Sequence, residues 1–327
     1  MIVAEVGLLH NGKPSLAQKL IDAASRAGAD VVKFQTHIAS AETLKSAPPP
    51  PYFTQEPRYA YFERTAFNLA QWRSLQSYCR RQKVEFLSSP FSIEAVELLE
   101  KTGVSRYKIP SGEITNLPFL EAVAETRKPV ILSSGMSSWK ELDRAVETIT
   151  RYHKKLTILQ CSSLYPCPYE KVGFNVMLEM KKRYQLPVGL SDHTMTNFAA
   201  FAAVTLGATV IEKHFTLNRK MYGSDAKHAA EPGQFKELAD GIRAIERMCS
   251  SKVSKNNTHP YQTMRKVFQK SIVSLVDISK GVKIGKAIVG IKKPGTGIPP
   301  SEMERVIGRR VTRHIKKDRV LQYKDIQ

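Results

Sequence analysis

The sequence predicts an α/β chain, a (β/α)8 TIM barrel followed by a small, mostly β module. Two observations carry the barrel. Eight short runs of β-branched and apolar residues recur between residues 2 and 214, each succeeded by a helix-like stretch, the alternation that lays helices over a parallel sheet. Each run also carries a polar or charged residue at or next to its end. A barrel interior is filled by branched apolar side chains, so polar groups gathered at the carboxyl ends of its strands point to catalysis. A third observation sets the boundary: the helical pattern ending in Ala244 to Cys249 gives way to SSKVSKNNTHPYQ, polar and without apolar period, as in a solvated linker.

Taken in order, the first run is Ile2 to Val6, with Glu5, and the second is Asp30 to Gln35, with Lys33 and Gln35. The connection after it is unusually long, and Pro48 to Pro51 hold it extended. Long βα loops lie over a barrel's active face. Tyr52, Phe53, Tyr59, Tyr61 and Phe62 are therefore either one wall of a pocket or the packing of a loop helix. Val84 to Ser89 and Tyr107 to Glu113 follow, carrying Ser89, then Lys108, Ser111 and Glu113. Val130 to Ser134 carries Ser133, and Leu156 to Cys161 leads into Ser163. Pro187 to Asp192 bears Ser191 and leads into His193, and Thr209 to His214 closes the series. The expected division is a barrel over residues 1–250, a linker over 251–262 and a module over 263–327. The module holds β-like runs at Lys270 to Val276, Ala287 to Ile291 and Arg309 to Thr312, with a helix-like SEMERVIG between.

Composition is that of a globular protein: 327 residues, 42% hydrophobic and 24% charged, enough to bury a barrel core and support a second small domain. The absence of an apolar run near the ~20 residues that span a bilayer, and a first strand that begins at once in MIVAEV, lead to the expectation of a cytoplasmic protein without membrane association. Cys79, Cys161, Cys167 and Cys249 lack paired spacing and are expected to be thiols in a reducing compartment. The net charge of +20 is uneven, with sixteen Lys and Arg against five Asp and Glu in residues 263–327. Such a surface attracts nucleic acid or steers small polyanionic substrates. Without aromatic interleaving, helix-turn-helix patterning or zinc spacing, nucleic acid is the disfavoured partner.

His193 and His214, in SDHT and EKHFT at neighbouring strand ends with Asp192 and Asp225 near, suit one divalent cation with open positions for a substrate oxygen. Mn²⁺ or Mg²⁺ fits that use better than structural zinc. Lys33 and Lys108, ringed by Ser89, Ser111, Ser133, Ser163 and Ser191, suit a small anion bearing phosphate and carboxylate. Alternatively the lysines pair with Glu5 and Glu113. Glu113, expected beside the anion pocket, is the general acid/base candidate. Glu5 either holds a polyol hydroxyl or balances a lysine.

AEVGLLHNG, VKFQTH, FLSSPFS, YKIPSGE, LSSGM, GLSDHT and VIEKHFT, with DISKG and KKPGTGIPP after the barrel, together resemble the sialic acid synthase family over nearly the whole chain. These enzymes condense phosphoenolpyruvate with an N-acylated amino sugar. The resemblance implies a C-terminal antifreeze-protein-like (SAF) domain, exchanged in a homodimer so that the partner's module lids each barrel. It implies that Lys33, Ser89, Lys108, Ser111, Ser133, Ser163 and Ser191 hold phosphoenolpyruvate, and that Glu5, Gln35, Tyr165 and Asp225 contact the sugar. His193 and His214 would bind the metal, Mn²⁺ first with Mg²⁺ or Co²⁺ as substitutes, and Glu113 would move the proton. KFQTH resembles the N-acetylmannosamine and legionaminic branches more than the pseudaminic branch.

Four departures qualify the resemblance. The family's hairpin before the first strand has no counterpart here. Ser89 and Ser163 replace the usual Thr and Asn. Lys293 stands where the family has a sugar-directed arginine, keeping the charge without the planar fork. GSDA replaces GPDH, so Ala226 removes a donor near the sugar. Two other classes remain open at this level: a class I aldolase forming a Schiff base on Lys108 or Lys33, and a polyanion-binding protein working through its basic module.

Overall fold

A computed structural model describes residues 1–51 and 53–327; Tyr52, placed by sequence on the pocket wall, lies outside them. The chain divides into two compact units, Met1–Ser251 and Lys252–Gln327.

The first unit contains eight parallel strands: β1 (Ile2–Gly7), β2 (Val31–Thr36), β3 (Glu85–Pro90), β4 (Tyr107–Ile109), β5 (Val130–Ser133), β6 (Leu156–Cys161), β7 (Val188–Asp192) and β8 (Val210–His214). They follow the order β3-β2-β1-β8-β7-β6-β5-β4, and β3 and β4, the ends of that order, adjoin. This is the predicted barrel, and seven of the predicted runs match a strand to within one residue at each end. The exception is Tyr107 to Glu113. Its strand stops at Ile109, because Pro110 breaks the ladder and Ser111–Glu113 form a 3-10 turn.

The helices are α1 (Pro14–Arg26), α2 (Ala39–Glu42), α3 (Arg58–Thr65), α4 (Leu69–Arg81), α5 (Ile93–Thr102), α6 (Leu117–Glu125), α7 (Trp139–Thr150), α8 (Phe174–Tyr184), α9 (Phe198–Thr205) and α10 (Pro232–Ser250). Local chemistry starts several of them. Asn68 with Gln71 and Ser138 with Glu141 form capping boxes at α4 and α7, and the Ser92 hydroxyl accepts from the Ala95 amide at α5. Outward strand residues such as Ile2, Ala4, Val6, Val32 and Phe34 pack against the apolar faces of these helices in one core.

The second unit opens with a 3-10 turn, His259–Tyr261, and α11 (Gln262–Phe268), so the stretch expected to be a featureless linker ends in local structure. An antiparallel pair follows, β9 (Ser271–Ser274) with β10 (Val289–Lys292). Between β10 and the C-terminus, α12 (Met303–Val306) occupies the helix-like SEMERVIG. Ile272, Ile278, Ile284, Val289, Ile298, Val306, Val311, Ile315 and Leu321 form the unit's own core.

Candidate active site

The inward face of the barrel follows from the strand period of two. Its lowest layer is apolar: Val3, Val31, Leu87, Ile131, Leu159 and Val210 form one buried cluster, with Met1 packed against it. Gly189 takes the place of β7 in this layer, where a Cβ would meet Leu159 Cδ2 at 2.7 Å and Val210 O at 2.2 Å. Two residues further along each strand the same parity reaches Glu5, Lys33, Ser89, Ser133, Cys161, Ser191 and Glu212, to which β4 adds Lys108; all are buried. Another two residues along stand Gly7, Gln35, Ser163, His193 and His214. An apolar floor thus carries a charged storey.

Lys33 Nζ lies 2.8 Å from Glu5 Oε2 and 3.6 Å from Glu212 Oε2, and donates to Ser89 Oγ at 3.4 Å. Lys108 Nζ and Ser191 Oγ each donate to Glu212 Oε1 at 3.0 Å. Burial depresses the Lys108 ammonium below its ordinary value; Glu212 opposes the fall and Lys33 deepens it. At Lys33 burial pulls the same way, but Glu212 and Glu5 outweigh it and hold the ammonium above its ordinary value. Burial works to raise Glu212, yet the two lysines keep it low. The Ser133 hydroxyl, also buried, has no hydrogen-bond partner.

These pairings correct the alternative that set Glu113 against the lysines. The 3-10 turn after β4 carries its carboxylate off the strand to the pocket rim, where Asn116 Nδ2 donates to Glu113 Oε2 at 2.8 Å. Burial raises the Glu113 carboxyl above its ordinary value against that hydrogen bond; Glu42 pushes the same way as burial and His37 the other.

On the other side of Lys33, Gln35 Nε2 donates to Glu5 Oε1 at 2.7 Å. A register shift between Glu5 and Gly7 bends β1 here. Gly7 has φ +57°, and a Cβ on it would stand 3.1 Å from Asp225 Oδ2 and 3.3 Å from Gln35 Nε2. Glycine therefore supplies both the left-handed turn and the space between these groups.

The His193 and His214 rings are 5.4 Å apart, with the Tyr165 ring 4.2 Å from the first and 6.0 Å from the second. His193 Nδ1 lies 2.7 Å from the carbonyl of Ser162. A carbonyl only accepts, so Nδ1 carries the hydrogen and Nε2 keeps the lone pair. Burial, aided by His214, pushes His193 down to about 3, leaving the neutral imidazole that ligates metals. His214 Nδ1 is buried without a hydrogen-bond partner among the described residues, 4.0 Å from Asp225 Oδ2. Among the described residues no group of three or more His, Cys, Asp and Glu is placed to hold a metal. The two imidazoles and the orphaned nitrogen fit a cation that takes its remaining ligands from substrate and water.

Glu5, Lys33, Gln35, Lys108, Ser111, Glu113, Ser133, Tyr165, Ser191, His193, His214 and Asp225 line one cavity of about 480 Å³. Ser89 is fully buried behind Lys33, and Ser163 is half-buried with its hydroxyl 3.5 Å from that of Ser111; neither lines the cavity. Lys293 belongs to the second unit, exposed, with its ammonium 5.2 Å from the Phe268 ring centroid. Of the loop aromatics, Phe53, Tyr61 and Phe62 line the cavity and Tyr59 does not. Cys161 lines it too, but burial pushes its thiol up to about 11, far from a nucleophile. All four cysteines are free thiols. Sequence reasoning missed Glu212, His37 and Glu42. Glu212 was within reach, two residues before His214 and two after Val210 on the inward parity, and so was His37, which ends KFQTH two residues beyond Gln35; nothing in the sequence marks Glu42.

A charge-lined cavity over the carboxyl ends of eight parallel strands defines a barrel enzyme site. The chain belongs to the NeuB family, whose model matches residues 20–254, and a SAF domain model matches residues 269–327. It is 36% identical over 329 residues to the N,N'-diacetyllegionaminic acid synthase of Campylobacter jejuni, covering 98% of each chain. It is 31% identical over 324 residues to human N-acetylneuraminate-9-phosphate synthase, covering 97% of this chain and 90% of the relative. The crystal structure of the N-acetylneuraminic acid synthetase of Leptospira borgpetersenii superposes with a TM-score of 0.71 at 28% identity, covering 81% of this chain and 90% of that one.

Proposed function

We propose that this protein condenses phosphoenolpyruvate with an N-acyl amino sugar of the N-acetylmannosamine type, releasing phosphate and a sialic acid or related nonulosonate. One observation supports this most: the cavity holds two chemistries side by side. Lys33 and Lys108, with the hydroxyls of Ser111, Ser133 and Ser191, suit a small anion bearing phosphate and carboxylate. Glu5, Gln35 and Asp225 offer acceptors and an amide to a neutral, hydroxyl-rich partner. The family relatives support the same pair of substrates.

The enol carbon of phosphoenolpyruvate would form a C–C bond to the sugar's aldehyde carbon, whose oxygen takes a proton. Water would then add to the resulting cationic carbon, giving up one proton, and phosphate would leave with the electrons of its C–O bond while the new hydroxyl passes its proton to the departing phosphate and becomes the ketone. Lys33 and Lys108 would exchange Glu212 for the phosphate and carboxylate and hold that charge throughout. Glu113, its carboxyl raised by burial, would move the proton. His193 and His214 would hold a divalent cation, Mn²⁺ first and Mg²⁺ or Co²⁺ as substitutes, which when bound supplies Lewis-acid polarisation of the aldehyde oxygen. We also propose a homodimer with exchanged SAF modules working in the cytoplasm. No helix among the described residues is long and apolar enough to cross a membrane.

Phosphate release from phosphoenolpyruvate, divalent metal and a panel of N-acyl amino sugars tests the reading. Release with N-acetylmannosamine or a legionaminic precursor supports it, and no release with any member defeats it. The depressed Lys108 favours one rival, the Schiff-base aldolase. Borohydride trapping of a substrate carbon on Lys108 would establish that rival instead.

A further inference from the structure

His37, two residues beyond Gln35, is held from four sides. Its ring stacks on Phe62 of α3 at 3.8 Å and 9° and on Phe91, just past β3, at 4.0 Å and 21°. Nδ1 lies 2.8 Å from Glu42 Oε2 of α2, and Nε2 lies 3.2 Å from Gln35 Oε1. His37, Glu42, Phe62 and Phe91 all face the cavity.

The hydrogen-bond chain determines which atoms carry protons. Glu5 is ion-paired with Lys33 and can only accept, so the Gln35 amide nitrogen faces it. The Gln35 carbonyl then faces His37 Nε2, which must donate. Glu42 Oε2 stands at the other nitrogen, and the two phenylalanine faces leave the ring one plane to lie in, so its orientation is fixed on every side. The other titratable groups around it are Glu113 and His10, whose protonation each feels its charge, with Glu56 and Arg58 further along the cavity.

We propose that His37 is a positioning residue: a ring clamped by Phe62, Phe91 and Glu42 that sets the Gln35 amide, and through it Glu5, for the amino sugar. This rests on the reading that Glu5 and Gln35 hold the sugar. It weighs on the sugar more than on the anion, because the chain Glu42, His37, Gln35, Glu5 reaches the anion subsite only at its far end, Lys33, and includes neither Lys108 nor Ser133.

Steady-state phosphate release by the full-length enzyme, with whichever N-acyl amino sugar the wild type accepts, tests this. His37→Phe keeps a ring in the slot and removes both ring nitrogens. The expected result is a sugar KM raised about 10- to 100-fold, the scale of lost hydrogen bonds to charged groups, with the phosphoenolpyruvate KM within about 2-fold. Glu42→Gln should raise the sugar KM less and add nothing to His37→Phe, because it acts through the ring. An unchanged sugar KM, an equal rise in both KM values, or additivity in the double variant would overturn the proposal. If His37→Phe fails to fold, Glu42→Gln alone decides by the same split. If the wild type releases no phosphate from any sugar, the functional reading fails, and ¹⁵N-histidine NMR at neutral pH still decides on the clamp. A hydrogen on His37 Nε2, the nitrogen that faces the Gln35 carbonyl, supports it; a bare Nε2 sinks it.

Discussion

Lys213 Nζ lies 2.6 Å from Asp192 Oδ2, and neither side chain is more than 3% exposed. The same ammonium donates to the carbonyls of Thr194 and Thr196 at 2.8 and 2.9 Å, and Asp192 Oδ1 accepts from the Thr194 amide at 2.9 Å. The segment after β7, which begins at His193, is thus braced by β8. Replacing Lys213 with Met leaves a carboxylate buried without its cation, a loss of about 3–5 kcal/mol. Urea denaturation at pH 7 measures it, and adding Asp192→Asn should restore part. A loss under about 1 kcal/mol for Lys213→Met would mean that the carbonyls alone hold the loop.

Glu113→Gln should cut kcat by about 10² to 10⁴ while both KM values change little. Its carboxyl is raised by burial, and the lysines pair with Glu5 and Glu212 rather than with it, so losing the charge removes a proton carrier without breaking the pairs of the anion subsite. Activity above about a tenth of wild type would send the search for the base elsewhere.

His214→Ala should abolish turnover and its dependence on added Mn²⁺, with a melting curve close to wild type. The orphaned Nδ1 makes no hydrogen bond that folding would lose. Chelation of the wild type followed by readdition of metal is the matching control. Full activity after chelation would remove the metal from the mechanism.

Acid should destabilise the fold through His10. Burial, helped by His37, pushes this imidazole down to about 3, where it stacks 4.3 Å from Phe67 and accepts from the Gly12 amide. The unfolded chain takes the proton near pH 6.5, so the contribution is complete above that pH and drains away as pH falls toward 3. By pH 5 the loss amounts to about 2 kcal/mol. Urea midpoints at pH 7.5 and pH 5 for wild type and His10→Asn give the difference; equal pH slopes would count against His10.

Heterodimers of a Lys293→Ala chain and a Glu113→Gln chain should recover part of the activity that each lacks alone. In the proposed exchange, one mixed site joins an intact barrel to an intact SAF module. Confirmed heterodimers without activity would mean that each module serves its own barrel or that Lys293 has no role.

The polar storey and the histidine pair were legible because a strand's period of two is a property of the chain itself: Val31, Lys33 and Gln35 share a face whatever surrounds them. Tertiary structure decided the partners. Lys108 and Glu212 are 104 residues apart and meet only because β4 and β8 face each other across a closed barrel. Glu113 leaves the lysines because Pro110 ends β4, and His37 gains two aromatic faces from α3 and from the end of β3. Periodicity says which side of an element a residue occupies. Which charge meets which depends on distances set across the whole barrel, and at ångström separations in a buried site those distances decide protonation and pairing.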